Sequence, residues 1–207
     1  MAESELIRRL DWRFLLPDPQ LRRVAYIGAE KPILISALRY FSESVCLLNK
    51  SCSDPHRSSP DKALDLLVVC SSDGSELQRA AALVKPDGFL YWEIDRQFQL
   101  RSLWQWLKDF VSEKKRSGFA ASHLNEAANL CELAGFREIE FYWHRPNFEN
   151  CLDIVSLNDE TALNYFFSRE RADLIGKLKI AGGGFLNKLN LLKYLAPCLS
   201  LVACKRV

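Results

Sequence analysis

Leu64–Ser72 reads LDLLVVCSS, a continuous apolar run of strand length. A strand that is apolar on both sides must be covered on both, and that arrangement belongs to parallel sheets whose crossover helices pack above and below. The run therefore predicts an α/β fold, and its neighbours agree. Val24–Gly28 is an apolar strand that breaks at glycine and hands the chain to a helix over Ile33–Glu43. Ser44–Asn49 is a short β-type run, Gly74–Lys85 reads as a helix stopped by Pro86, and Phe89–Asp95 is the next strand after a Pro-Asp-Gly turn. The order is strand, helix, strand, loop, strand, helix, strand, a doubly wound layout.

The second half continues the pattern. Leu100, Leu103, Trp104, Leu107 and Val111 fall on one helical face, so Trp104 and Trp106 read as core residues of a helix, with a ligand-stacking pair as the weaker alternative. A helix from Ser122 ends at Gly135, a suitable residue just past a helix C-terminus. Phe136–Pro146 alternates as a strand, Cys151–Leu157 is a further candidate strand, and Glu160–Ile180 reads as helix. Ala181–Phe185 is a glycine-rich break, and Cys198–Val207 closes the chain as an apolar strand. Asn49–Lys62, rich in Ser, Pro and charge, has no periodicity. The Lys and Leu pattern of Leu174–Ala196 suits a helix packed on the sheet, with a membrane surface or partner as the weaker alternative.

A length of 207 residues suits one domain, with residues 1–20 as an N-terminal extension. A net charge of +2 argues against a nucleic-acid partner, which calls for a concentrated basic face. The one dense cluster, Glu113–Arg116, reads as a solvated helix end. The charged N-terminus lacks an apolar segment of signal-peptide length, and no run approaches the roughly 20 apolar residues of a membrane span. Seven cysteines, none in a C-x-x-C pair, read as small buried hydrophobes of a reducing cytoplasm and give no metal site.

Three stretches carry a family resemblance: Ala80–Asp95 (AAALVKPDGFLYWEID), Leu130–His144 (LCELAGFREIEFYWH) and the terminal Leu199–Arg206 (LSLVACKR). They resemble, in order, the "LKPGG-strand" segment, the "L-x-x-A-GF" helix with its following strand, and the closing antiparallel strand of class I S-adenosylmethionine-dependent methyltransferases. The resemblance implies a Rossmann-like sheet, with the closing strand inserted antiparallel. It also implies S-adenosylmethionine as cofactor and methyl transfer to a small molecule in a biosynthetic pathway. Its cofactor loop maps onto Tyr26, Gly28, Ala29 and Glu30, with Glu30, Lys31 and Pro32 where the family places a glycine-rich turn. The ribose-binding acidic position falls near Asn49, and Cys70 and Ser71 end the strand that follows the loop. The family's third strand is not recognisable in Ser51–Lys62.

Candidate proton acceptors are His144, Glu93 and Asp73, each at the end of a predicted strand, and candidate substrate contacts are Asp95, Arg96 and Arg145. Each has a plainer reading: Ser71, Ser72 and Asp73 as N-cap residues, Glu93, Asp95 and Arg96 as capping and surface pairs, His144 and Arg145 as a polar strand end. The sparse glycines leave a second function open, a methyltransferase fold that has lost methyl transfer and serves as a binding or scaffolding partner. Hydrolase, zincin and nucleoside-triphosphatase motifs are missing from the sequence.

Overall fold

The computed structural model describes residues 3–48, 63–70, 75–95, 119–169 and 196–206. The expected Leu100–Val111 helix with Trp104 and Trp106, the unreadable Ser51–Lys62 stretch, the glycine-rich break and most of Leu174–Ala196 lie outside them. A short helix α1 (Glu3–Arg9) and a 3-10 turn (Asp11–Leu15) precede β1 (Leu21–Gly28), α2 (Pro32–Phe41), β2 (Ser42–Leu47) and β3 (Leu64–Cys70). Then come α3 (Ser75–Ala81), β4 (Val84–Asp95), α4 (Phe119–Leu133), β5 (Phe136–Arg145), β6 (Asp153–Ser156), α5 (Glu160–Ser168) and β7 (Cys198–Lys205).

The seven strands form one sheet in the order β2-β1-β3-β4-β7-β5-β6. Pairs among β2, β1, β3 and β4 are parallel. The closing strand β7 lies antiparallel between β4 and β5, as the resemblance implies, and β6 adds an antiparallel edge. This is the Rossmann-like doubly wound sheet expected from the sequence, with helices on both faces.

The continuous apolar runs explain the layering. Ala25, Ile27, Leu67, Val69, Leu90, Trp92, Leu201 and Ala203 pack on one face with α3 and α4. Their sequence neighbours Val24, Tyr26, Leu66, Val68, Tyr91 and Val202 pack on the other with α2 and the N-terminal segment. Period-2 alternation thus feeds two cores from the same strands. Leu34 and Leu38 of α2 are fully buried, worth about 2 kcal/mol each. Trp12 and Trp92 are core residues as well.

Several boundaries differ from expectation: the helix expected over Glu160–Ile180 ends at Ser168, the one expected from Ser122 starts at Phe119, and three more shape the sheet. The first helix ends at Phe41 and not at Glu43, because Ser42 turns extended, caps the Leu38 carbonyl and joins β2 against Leu21. The helix expected to run to Lys85 ends at Ala81, because the Leu83 carbonyl accepts from the Leu64 amide and Val84 pairs with Leu64. The Pro-Asp-Gly turn lies inside β4: Val84 and Phe89 pair with Leu64 and Leu66, so the residues between them bulge opposite Asp65. Asp65 accepts from the Arg23 amide at 3.0 Å and meets Lys85 Nζ at 2.6 Å, which fixes the bulge.

Gly28 has φ +138°, and a Cβ there would stand 2.6 Å from the Cys70 carbonyl carbon and oxygen. Its lack of a side chain lets β1 close against β3, where Gly28 pairs with Cys70. Gly135 ends α4 at φ +86°, with open space around its Cβ position. Gly28→Ala is expected to lower the unfolding free energy by at least about 2 kcal/mol and Gly135→Ala by about 1 kcal/mol. Urea titration of the two variants checks this, and equal losses would contradict the backbone contact at Gly28.

Candidate functional site

The register of the sheet gathers polar side chains at the C-terminal ends of its parallel strands. Gly28 pairs with Cys70, Val69 with Trp92, Glu93 with Ser200, and Ser200 with Tyr142, so Gly28, Cys70, Glu93 and Ser200 share one row. Side chains of this row and of the equivalent positions Tyr26, Tyr91 and His144 project toward the N-terminal segment and α2. Open α/β sheets hold ligands in the crevice at this end.

Glu93 is the centre of the row. Its carboxylate is fully buried, with Arg9 Nη2 2.6 Å from Oε1 and Lys31 Nζ 3.0 Å from Oε2. Cys70 Sγ donates to Oε2 at 3.3 Å, and the Tyr91 hydroxyl to Oε1 at 3.4 Å. Burial works to raise the Glu93 pKa, but Arg9 and Lys31 outweigh it and hold the carboxyl below its ordinary value. Burial likewise opposes the charge on Arg9 and on Lys31, and Glu93 more than restores both. Burial, reinforced by Glu93, drives the Cys70 thiol and the Tyr91 hydroxyl well above their ordinary range. The cluster therefore holds two cations, one carboxylate and two neutral donors.

Distant segments meet here. Arg9 ends α1, Lys31 lies in the loop between β1 and α2, and the ring of Phe148 lies 5.8 Å from the Arg9 guanidinium and 5.5 Å from Lys31 Nζ. Trp12 stacks on Tyr91 with centroids 3.8 Å apart and planes within 9°, and its buried indole N–H has no hydrogen-bond partner among the described residues. Tyr26 donates to the Ala29 carbonyl at 2.5 Å, which folds the loop back onto β1 and leaves Ala29 and Glu30 exposed.

His144 continues the network on the far side of Glu93. Its Nε2 is 2.8 Å from Ser200 Oγ, its Nδ1 3.6 Å from Cys151 Sγ, and its ring packs 4.8 Å from Phe148. Burial depresses its pKa to about 4, so the imidazole is neutral at physiological pH.

The structure brings together Tyr26, Gly28, Cys70, Glu93 and His144. Arg145 lies on the opposite side of β5 from His144, its guanidinium 5.0 Å from the Trp143 ring and 4.7 Å from that of Phe166. Asp95 ends β4 opposite Cys198. Asn49, Ser71, Asp73 and Arg96 lie outside the described residues. Sequence reading missed Arg9, Lys31, Tyr91, Phe148, Cys151 and Ser200 as site residues. For Arg9 a signal was present: Leu6, Arg9 and Leu10 have the i, i+3, i+4 spacing of a buried helical stripe, which places a cation on an apolar face. Among the described residues no three His, Cys, Asp or Glu side chains form a metal-holding group, and no helix is long and apolar enough to cross a membrane.

No family model and no curated protein matches the chain. Solved structures do. An S-adenosylmethionine-dependent methyltransferase from Thermotoga maritima superposes with a TM-score of 0.51 at 13% identity, covering 98% of this chain and 89% of its own. Another from Archaeoglobus fulgidus gives a TM-score of 0.49 at 16% identity, over 99% and 95% of the two chains. The chain has the fold of class I S-adenosylmethionine-dependent methyltransferases.

Two consequences follow for stability. Glu93→Gln leaves Arg9 buried without its counter-charge, beside a partly exposed Lys31, and is expected to cost about 3–5 kcal/mol, whereas the double variant with Arg9→Met recovers part of that loss; urea midpoints measure both. His144 takes up its proton near pH 6.5 when unfolded and near 4 when folded, so the unfolded chain binds more protons between those values. Stability is then full above pH 6.5 and falls by roughly 3 kcal/mol as pH drops to 4. A fluorescence-monitored stability profile of wild type and His144→Gln checks this, the variant giving the flatter curve in that window.

Proposed function

We propose that this protein binds S-adenosylmethionine in the crevice above Gly28, Cys70 and Glu93 and transfers its methyl group to a small molecule. The observation that carries the reading is the mixed charge of the Glu93 cluster at the ligand-binding end of the sheet. One carboxylate beside two cations suits the zwitterionic methionine end of that cofactor, whose ammonium and carboxylate need partners of opposite sign. Lys31 is the one member of the ion cluster with access to solvent, its side chain 25% exposed, and its flexible stem can turn from Glu93 to a ligand carboxylate. Tyr26, Gly28, Ala29, Glu30 and Cys70 would line the same end of the site, and Asn49 and Ser71 are the proposed contacts beyond it.

When bound, S-adenosylmethionine supplies an electrophilic methyl group for in-line transfer. The chain's own contribution is positional. Glu93 is paired with cations and held ionised, and its protonated form is disfavoured, so it orients charge more readily than it takes up a proton. His144 is a neutral, weakly basic imidazole whose two nitrogens face Ser200 and Cys151. Rate enhancement then rests on holding the acceptor in line and excluding water, with Trp12, Tyr91 and Phe148 as the apolar wall. Asp73 is the remaining candidate proton acceptor, and Asp95, Arg96 and Arg145 the candidate substrate contacts. The enzyme works in the cytoplasm, in a biosynthetic pathway.

A second reading has its own support. Lys31 and Arg9 already satisfy Glu93, and Glu30 and Pro32 stand where the related fold places glycines. Such a crevice suits a methyltransferase-fold protein that binds no S-adenosylmethionine and acts by engaging a partner protein. Calorimetric titration with S-adenosylmethionine and S-adenosylhomocysteine separates the two. Methyl transfer predicts binding in the micromolar range that weakens about tenfold in Lys31→Ala, the loss of one charge-assisted contact. No heat from wild type at millimolar ligand supports the partner reading and overturns the first.

A further inference from the structure

At the opposite end of the sheet, where β1 and β2 begin, the surface carries a concavity of about 450 Å³. The 3-10 turn supplies Arg13 and Phe14, the start of β1 supplies Arg22, the end of α2 supplies Tyr40, and the start of β2 supplies Glu43. The Glu93 cluster lies at the C-terminal ends of the same sheet, so the two sites are separate.

Arg13 is unusually placed. Its guanidinium sits 4.9 Å from the Phe14 ring and 4.6 Å from the Phe41 ring, in cation–π contact with both. It is half-buried, and among the described residues no side-chain hydrogen bond or ion pair engages it. The Asp11 carboxyl, raised by its own burial, feels the Arg13 charge but makes no ion pair with it. Packing therefore fixes the guanidinium while its N–H groups remain available, the condition for bidentate capture of an oxyanion. Phe14 and Tyr40 are 62% and 59% exposed, a high value for large aromatic rings that line a concavity. Arg22 adds a second cation and Glu43 a single anion, so the lining carries a net charge of one plus.

We propose that this concavity is a binding site for a small planar aromatic molecule bearing one oxyanion, carboxylate or phosphate. The oxyanion sits on the edge of Arg13 with Arg22 beside it, and the ring lies against Tyr40 and Phe14. The volume falls within the range of small-molecule sites, roughly 300–1,000 Å³. The arrangement separates charge from ring contact, so neither half of such a ligand suffices alone. This inference stands apart from the proposed methyl transfer and does not depend on it.

The test is calorimetric titration of the full chain with phenylacetate, phenyl phosphate, inorganic phosphate and benzyl alcohol. Either aromatic anion is expected to bind at least tenfold more tightly than inorganic phosphate or the uncharged alcohol, and the better of the two identifies the oxyanion. Arg13→Met, which keeps the stacked volume and removes the charge, should weaken that binding at least tenfold. Tyr40→Ser, which removes a ring that packs edge-on against Phe41, should weaken it at a temperature where wild type and variant are both fully folded. The proposal is overturned if no aromatic anion binds at millimolar concentration, if inorganic phosphate binds as well, or if Arg13→Met binds like wild type. It is overturned too if wild type self-associates in sedimentation and Tyr40→Ser does not, because the rings would then be an interface between copies.

Discussion

The buried carboxylate of Glu93 organises this end of the molecule. An ionised group without water is tolerated only when paired and hydrogen-bonded. Arg9, Lys31, Cys70 and Tyr91 meet that demand from four different segments of the chain. In doing so they fasten the N-terminal helix and the loop after β1 to the middle of the sheet. The pairings span 84 residues for Arg9 and 62 for Lys31, so they tie together distant parts of the chain.

The same electrostatics decide what these groups can do. A carboxylate held ionised by two cations orients charge, and a histidine buried beside hydroxyl and thiol groups stays neutral. Both were natural candidates for a proton-accepting role at the strand ends, and their surroundings make each of them better suited to positioning. Gly28 has a comparable double character. It sits at the turn where a ligand would approach, yet the group it makes room for is the backbone of Cys70.

Much of the fold was legible because the strands are apolar on both faces. Leu66–Val69 alternates between two cores, and no other element type accommodates that pattern so well. The limits of the elements were less legible where backbone hydrogen bonding overrode local preference. Ser42 and Glu43 continue a helical pattern but pair with β1, and the Pro-Asp-Gly stretch reads as a plain turn but bulges within β4. In the site, Glu93 and His144 were visible as polar residues at strand ends. Their partners were not, since nothing local in sequence ties Arg9 or Phe148 to Glu93. The apolar spacing of Leu6 and Leu10 was the one hint that Arg9 points inward.

If S-adenosylmethionine binds above the Glu93 cluster, Lys31 is the member that responds to it. Nitrogen-15 NMR of the labelled protein, titrated with S-adenosylhomocysteine, reads that response residue by residue. Binding there predicts that the amides of Gly28, Ala29 and Lys31 shift together while those of the β5–β6 edge stay still. A titration that leaves the Gly28–Lys31 amides unmoved, or moves only residues at the far end of the sheet, would contradict it.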